Sequence, residues 1–151
     1  VAPTNFHFTV KFLGDVGAES VSQLCSQIDA VLANRSSFPI RLVGLGAFPS
    51  VKNLRVVWVG TSENSAFVSL LTDVQRALGH FRKEGYKDFV PHLTVARVRD
   101  VSDALQLERT LDKFRLSDFG SFVVDKVGLY RSDLGREGPV YTVIREFVLG
   151  G

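Results

Sequence analysis

The 151-residue chain has no methionine, one cysteine, one tryptophan and three histidines. Each shortage removes a class of function. A single thiol, Cys25, can neither close an internal disulfide nor build a cysteine metal site, and its place on the apolar stripe of an expected helix makes it core filler. No apolar run approaches the length of a membrane span, and no charged, apolar, small-residue sequence marks a signal peptide. The expectation is a soluble, intracellular protein of the cytoplasm. A surplus of one charge is also missing: 18 Lys and Arg stand against 16 Asp and Glu, too even for a sequence-independent nucleic-acid coat but compatible with a local basic pocket. Without a methionine the chain does not open at a start codon, and Val1-Ala2-Pro3-Thr4-Asn5 reads as a processed or truncated N-terminus. What remains is 45% apolar and 11% aromatic, the composition of one well-packed domain of this length.

Against this background one phrase occurs twice: His7-Phe8-Thr9-Val10 and His92-Leu93-Thr94-Val95. Each copy sits in an alternating apolar and polar run, the pattern of a half-buried strand. Residues two apart on a strand point the same way, so each copy projects an imidazole and a hydroxyl side by side. Two such strands lying together would gather two imidazoles and two hydroxyls, a set suited to a phosphate.

The surroundings repeat as well. Val21, Leu24, Cys25, Ile28, Val31 and Leu32 predict an amphipathic helix over about residues 18–33. Strands are expected over 39–48 and 54–60, and a helix carrying Phe67, Leu70, Leu71, Val74, Ala77, Leu78 and Phe81, with Gly79 and Gly85 at its end. The second His strand follows over about 89–97. A third helix is expected over 102–114 with Ser102 as N-cap, then strands over 121–130 and 140–149 joined by a polar loop, 131–138. Each half therefore reads His strand, helix, strand, strand. The division is a first half of about 1–62, a connecting helix of about 64–81 and a second half of about 86–151, within one domain. A pseudo-twofold would bring the two phrases face to face across a central cleft, in an α+β arrangement of two mainly antiparallel sheets with helices outside. The second His strand is preceded by a strand and a helix and the first by neither, so an upstream strand and helix are expected to be missing, leaving a sheet position open to a borrowed strand.

Two histidines without a metal suffice for acid–base work at phosphorus: one takes a proton while the other gives one, and threonine hydroxyls donate to phosphate oxygens. Zinc is the competing use, but no third ligand is evident and neither phrase has the helical His spacing of metallohydrolases. The reading needs no cofactor. His80, beside Gly79, reads as a surface or capping residue. Lys11 shares the parity of His7 and Thr9 and either extends the polar face or is a solvated strand end. Arg97, five residues after His92, has the wrong parity unless the strand ends or bulges. Arg131 and Arg136 lie on the expected loop, where they line the cleft or are simply solvated. Trp58 and Phe12 read as core packing, with stacking on a base as the alternative.

The two stretches His7–Gly14 and Pro91–Arg97 resemble the signature strands of the 2H phosphoesterase superfamily, closest to its RNA 2′,3′-cyclic phosphodiesterase, or 2′-5′ RNA ligase, branch. Gly44-Leu45-Gly46-Ala47-Phe48-Pro49, Arg55-Val56-Val57-Trp58-Val59-Gly60, Leu129-Tyr130-Arg131-Ser132 and Gly138-Pro139-Val140-Tyr141 agree in order and spacing, and Asp118–Asp125 is similar to archaeal members. The resemblance implies a bilobal fold and metal-independent hydrolysis of an RNA or nucleoside 2′,3′-cyclic phosphate to the 2′-phosphomonoester. It implies His7 and His92 as the acid–base pair, Thr9 and Thr94 as the phosphate-holding hydroxyls, Arg97 as a substrate contact and Phe12 near the base. The partners it implies are RNA ends or tRNA fragments carrying 2′,3′-cyclic phosphate, or cyclic nucleotides, with no membrane; the expected state is a monomer, with strand borrowing open to it. Two rivals stand beside this reading. One is 2′-5′ joining of cyclic-phosphate and 5′-hydroxyl ends; the other is a non-catalytic RNA-end or nucleotide-binding module.

Overall fold

A computed structural model describes the chain except residues 51–52, 63, 82–89, 100–103, 137 and 151. Helix α1, Val21–Leu32, follows a 3-10 turn, Ala18–Ser20, and buries Leu24, Cys25, Ile28 and Leu32 at three- and four-residue spacing. Helix α2, Ser65–Ala77, buries Phe67, Leu70, Leu71 and Val74. Helix α3, Ala104–Lys113, buries Leu111. These are the three expected helices, trimmed at their ends. Gly85 and the N-cap assigned to Ser102 lie outside the described residues.

The strands are β1 (Phe38–Ser50), β2 (Asn53–Ser62), β3 (Leu93–Arg97), β4 (Asp118–Val124), β5 (Lys126–Gly135) and β6 (Gly138–Val148). Four form an antiparallel sheet in the order β3-β2-β1-β4, and β5 pairs with β6. The α+β class and the two antiparallel sheets agree with expectation, but three details differ. The strand expected over 121–130 is two strands, broken at Asp125, and its parts pair in different sheets. The polar loop expected over 131–138 is mostly the tip of the β5–β6 hairpin. Residues 131–136 are exposed, and backbone ladder bonds do not require buried side chains, so polarity there misreads as loop. The first His segment is extended but carries a single bridge, Phe8 to Leu93, in place of a ladder.

That bridge has meaning, because Phe8 and Leu93 are the same position of the repeated phrase. An antiparallel pair of equivalent residues lies on a pseudo-twofold. The β1–β4 ladder, which joins corresponding segments of the two halves from Phe38–Val124 to Val43–Asp118, has the same character.

Two clusters fill the interior. The larger joins α1 and α2 to Phe38 and Ile40 of β1, Leu129, Phe147 and Leu149, with Phe8 and Val10 packed on its edge. The smaller joins Leu111 of α3 to Ala47, Leu54 and Val57. Full burial of such a side chain stabilises by about 1.5–3 kcal/mol. One β1 face serves both clusters through a bulge at Gly44, whose φ of +77° suits glycine and whose added Cβ would lie 2.4 Å from the Arg115 carbonyl oxygen.

Candidate active site

Sheet parity decides what faces the cleft. Val57 and Val59 of β2 are buried, as are Leu93 and Ala47. The alternate residues form the opposite face, where Trp58 stands between Gly46 and Thr94, and Val56 between Phe48 and Arg97. Arg97 reaches that face because β3 bulges. Thr94 and Ala96 oppose the consecutive residues Trp58 and Val57, so Val95 is one residue extra and alternation slips there. His92, two residues before Thr94, belongs to the same side.

The first phrase meets this face across the Phe8–Leu93 bridge. Phe8 and Val10 pack on the core, which turns His7 and Thr9 the other way. The register of the bridge sets His7 opposite Thr94 and Thr9 opposite His92. Side chains so opposed have Cβ atoms about 4.5–5.5 Å apart, and the two imidazoles take one diagonal of the square. His7 is exposed, while Thr9, His92 and Thr94 are half-buried.

Both imidazoles are pinned alike. His7 Nδ1 lies 2.7 Å from the Asn5 carbonyl oxygen, and His92 Nδ1 lies 2.8 Å from that of Val90. In each case the carbonyl belongs to the residue two before the histidine. A carbonyl only accepts, so Nδ1 is the donor in both rings and Nε2 is the ring nitrogen that carries the lone pair when the imidazole is neutral. Each ring also meets an aromatic edge-on: His7 against Tyr141 at 5.1 Å between centroids, His92 against Phe48 at 5.0 Å. Two oriented imidazoles and two hydroxyls on one face, with a guanidinium beside them, can hold a phosphate and move protons on either side of it.

The family model described as the 2′-5′ RNA ligase superfamily matches residues 4–136. The chain belongs to this superfamily, that of the 2H phosphoesterases. A relative from Aquifex aeolicus named RNA 2′,3′-cyclic phosphodiesterase is 36% identical, covering 100% of this chain and 81% of its own. One of the same name from Methanothermobacter thermautotrophicus is 37% identical over 99% of this chain and 81% of its own. Among solved structures, TT0787 of Thermus thermophilus superposes with a TM-score of 0.81 at 26% identity, covering all of this chain and 81% of that one.

Within this 2H phosphoesterase fold the outlying candidates are placed as follows. Lys11 Nζ donates to Gln75 Oε1 of α2 at 2.8 Å, and Gln75 Nε2 donates to the Val10 carbonyl at 2.9 Å. Lys11 is therefore engaged with α2 and is not a solvated strand end. Arg131 lies in β5 opposite Thr142, on the other face of the hairpin from Tyr141, with its Nε 2.9 Å from Asp133 Oδ2. Arg136 is at the exposed hairpin turn. Phe12 is 52% exposed and Trp58 lies on the cleft face, so neither is the core filler expected from composition. Val56-Val57-Trp58-Val59 is apolar at every position, which hides the face each residue takes; the glycines at 46 and 60, over which the indole lies, were the overlooked sign. Gln75 carried no sequence signal, and Tyr141 only its place in the Gly138–Tyr141 stretch, since the contacts of both are tertiary. Among the described residues, no group of three or more His, Cys, Asp or Glu side chains is placed to hold a metal ion, and no helix is long and apolar enough to cross a membrane.

Proposed function

We propose that this chain is an RNA 2′,3′-cyclic phosphodiesterase that hydrolyses an RNA-terminal or nucleoside 2′,3′-cyclic phosphate to the 2′-phosphomonoester without a metal. The observation that carries the reading is the Phe8–Leu93 bridge, which sets two identically pinned His-x-Thr phrases opposite each other. The names of the relatives agree with it. One imidazole takes a proton from water as its oxygen bonds to phosphorus. The bond to the ribose 3′-oxygen breaks, and the other histidine, protonated, delivers a proton to that oxygen. Thr9 and Thr94 donate to the non-bridging oxygens, and Arg97 balances their charge. Phe12 is retained as a substrate contact through its exposed ring near the base; Lys11, engaged with Gln75, and Arg131, on the far face of the hairpin beside Asp133, are retained as cations that draw longer RNA from outside this centre.

The test is incubation with 2′,3′-cyclic AMP in EDTA, with the product identified. Adenosine 2′-monophosphate is expected, and His7→Ala and His92→Ala should each lower the rate by about 10²–10⁴-fold. Full activity in both variants would sink the mechanism, and activity removed by EDTA and restored by zinc would replace it with a metal-dependent one.

A further inference from the structure

The fourth residue of each phrase offers its carbonyl to a donor from elsewhere in the chain. In the first phrase, the Val10 carbonyl accepts from Nε2 of Gln75 on α2 at 2.9 Å. In the second, the Val95 carbonyl accepts from the Val1 nitrogen at 3.2 Å. Val10 and Val95 are equivalent positions of the repeat, so the same point of each phrase is held. Each time the donor comes from the stretch that runs into the other phrase: α2 precedes His92 in the chain, and Val1 precedes His7.

The hold on the first phrase is fully determined. Both ends of the Gln75 amide are engaged, Nε2 with the Val10 carbonyl and Oε1 with the Lys11 ammonium at 2.8 Å. A carbonyl only accepts and an ammonium only donates, so the amide has one productive orientation. Its base is firm as well, because Leu71 and Leu78, one helical turn to either side of Gln75, are buried in the larger cluster. The side chain is thus a strut from the core to the extended segment. It meets that segment one residue after Thr9, and the Phe8–Leu93 bridge fixes the residue before. Thr9 alone lies between these two fixed points. His7 lies outside them and has its own tie, to the Asn5 carbonyl.

We propose that Gln75 is a positioning residue for the reaction: acting through the Val10 carbonyl, it holds the Thr9 hydroxyl where a phosphate oxygen must meet it. This rests on the function proposed above and adds to it a residue of the connecting helix. A hydroxyl already in place stabilises developing charge without reorganising at the moment of reaction, whereas a misplacement of about 1 Å costs on the order of 10²-fold. Without the Gln75 amide the residue after Thr9 loses its anchor, and the hydroxyl has to be brought to the phosphate in each turnover. His7, on the other side of the bridge, keeps its hydrogen bond to Asn5, so the loss falls on phosphate holding and not on proton transfer.

The test is a mutant cycle on 2′,3′-cyclic AMP, with circular dichroism confirming the fold of each variant at the assay temperature. Gln75→Leu should lower kcat/KM by about 10- to 10²-fold while leaving its pH dependence that of the wild type. Combined with Thr9→Ala it should add almost no further loss, and combined with Thr94→Ala it should cost its full factor. Gln75→Met, equally unable to donate, repeats the measurement if leucine disturbs the packing of α2. A wild-type rate in these variants would overturn the proposal. So would an equal loss with and without the Thr9 hydroxyl, which would make Gln75 a support of the fold alone. Calorimetric titration with adenosine 2′-monophosphate separates this proposal from the function it rests on. If the wild type binds the monophosphate without turning over the cyclic nucleotide, and Gln75→Leu weakens that binding by about tenfold only when Thr9 is present, the hydrolase reading falls and the strut stands.

Discussion

The same four-residue phrase is supported in two different ways. The second copy runs into β3 and is fastened by a ladder to β2 within a four-stranded sheet. The first has one bridge and is otherwise held by α2, through the Gln75 amide on the Val10 carbonyl and Lys11 on Gln75. Yet the two imidazoles end in the same local state, each with Nδ1 on the carbonyl two residues back and an aromatic ring at its edge. The difference teaches that the ladder sets where a phrase lies, while the short hydrogen bond sets how its ring is turned. Unequal scaffolds thus deliver an equal pair.

The sharpest way to break this comparison is to remove the rings. If the pair acts as a unit, the double variant His7→Ala/His92→Ala should be hardly slower on 2′,3′-cyclic AMP than either single one, each down about 10²–10⁴-fold; multiplicative losses would mean two independent contributions. A second experiment attacks the better-supported half. Gly44→Ala puts a β-carbon into a left-handed backbone and 2.4 Å from the Arg115 carbonyl oxygen, so it should lower stability by at least about 1–2 kcal/mol from conformation alone, measured by urea denaturation. A third addresses the weaker support. Gln75→Ala should cost about 1 kcal/mol of stability. It should also speed hydrogen exchange over Phe8–Lys11 while leaving Leu93–Arg97 protected; equal acceleration in both segments would show that they share one support.

The smallest effect concerns the surface that ties β1 to β4. The hydrogen bond from Arg41, followed by that from the Gly120 N–H, holds the Asp118 carboxyl below its usual 3.8. A depressed carboxylate contributes stability above the unfolded value and loses it as pH falls through the folded one. Asp118→Asn should therefore be slightly less stable than wild type at pH 7, with the gap closing below about pH 3.8; a gap that is constant with pH would assign the effect to something other than charge.

Much of this was legible in the sequence because periodicity reports burial directly. The stripes of α1 and α2 name the residues that fill the main core, and the repeated His-x-Thr phrase marks the two segments that meet. What was not legible depends on backbone events that leave no periodic trace. The break at Asp125 divides a run of strand-forming residues whose one polar pair, Asp125-Lys126, reads equally well as a solvent-facing step, so nothing in its composition says that the chain changes sheets. The polar residues of the β5–β6 tip satisfy their backbone groups by pairing strand to strand, which composition does not report. Arg97 was out of phase with His92 until Val95 was seen to be extra. Trp58 sat in a run apolar on both faces, where alternation carries no information.

That extra residue separates counting from chemistry. Shortening the chain by Val95 alone would turn β3 into a regular strand in which Thr94 still opposes Trp58, Ala96 still opposes Val57 and Arg97 still opposes Val56. Every side chain would keep its face, and the guanidinium would stand two residues from Thr94 with no bulge between them. In this strand it is the face, and not the count of residues, that the site holds fixed: a single lost codon at the bulge would be gentler on it than substitution of the arginine.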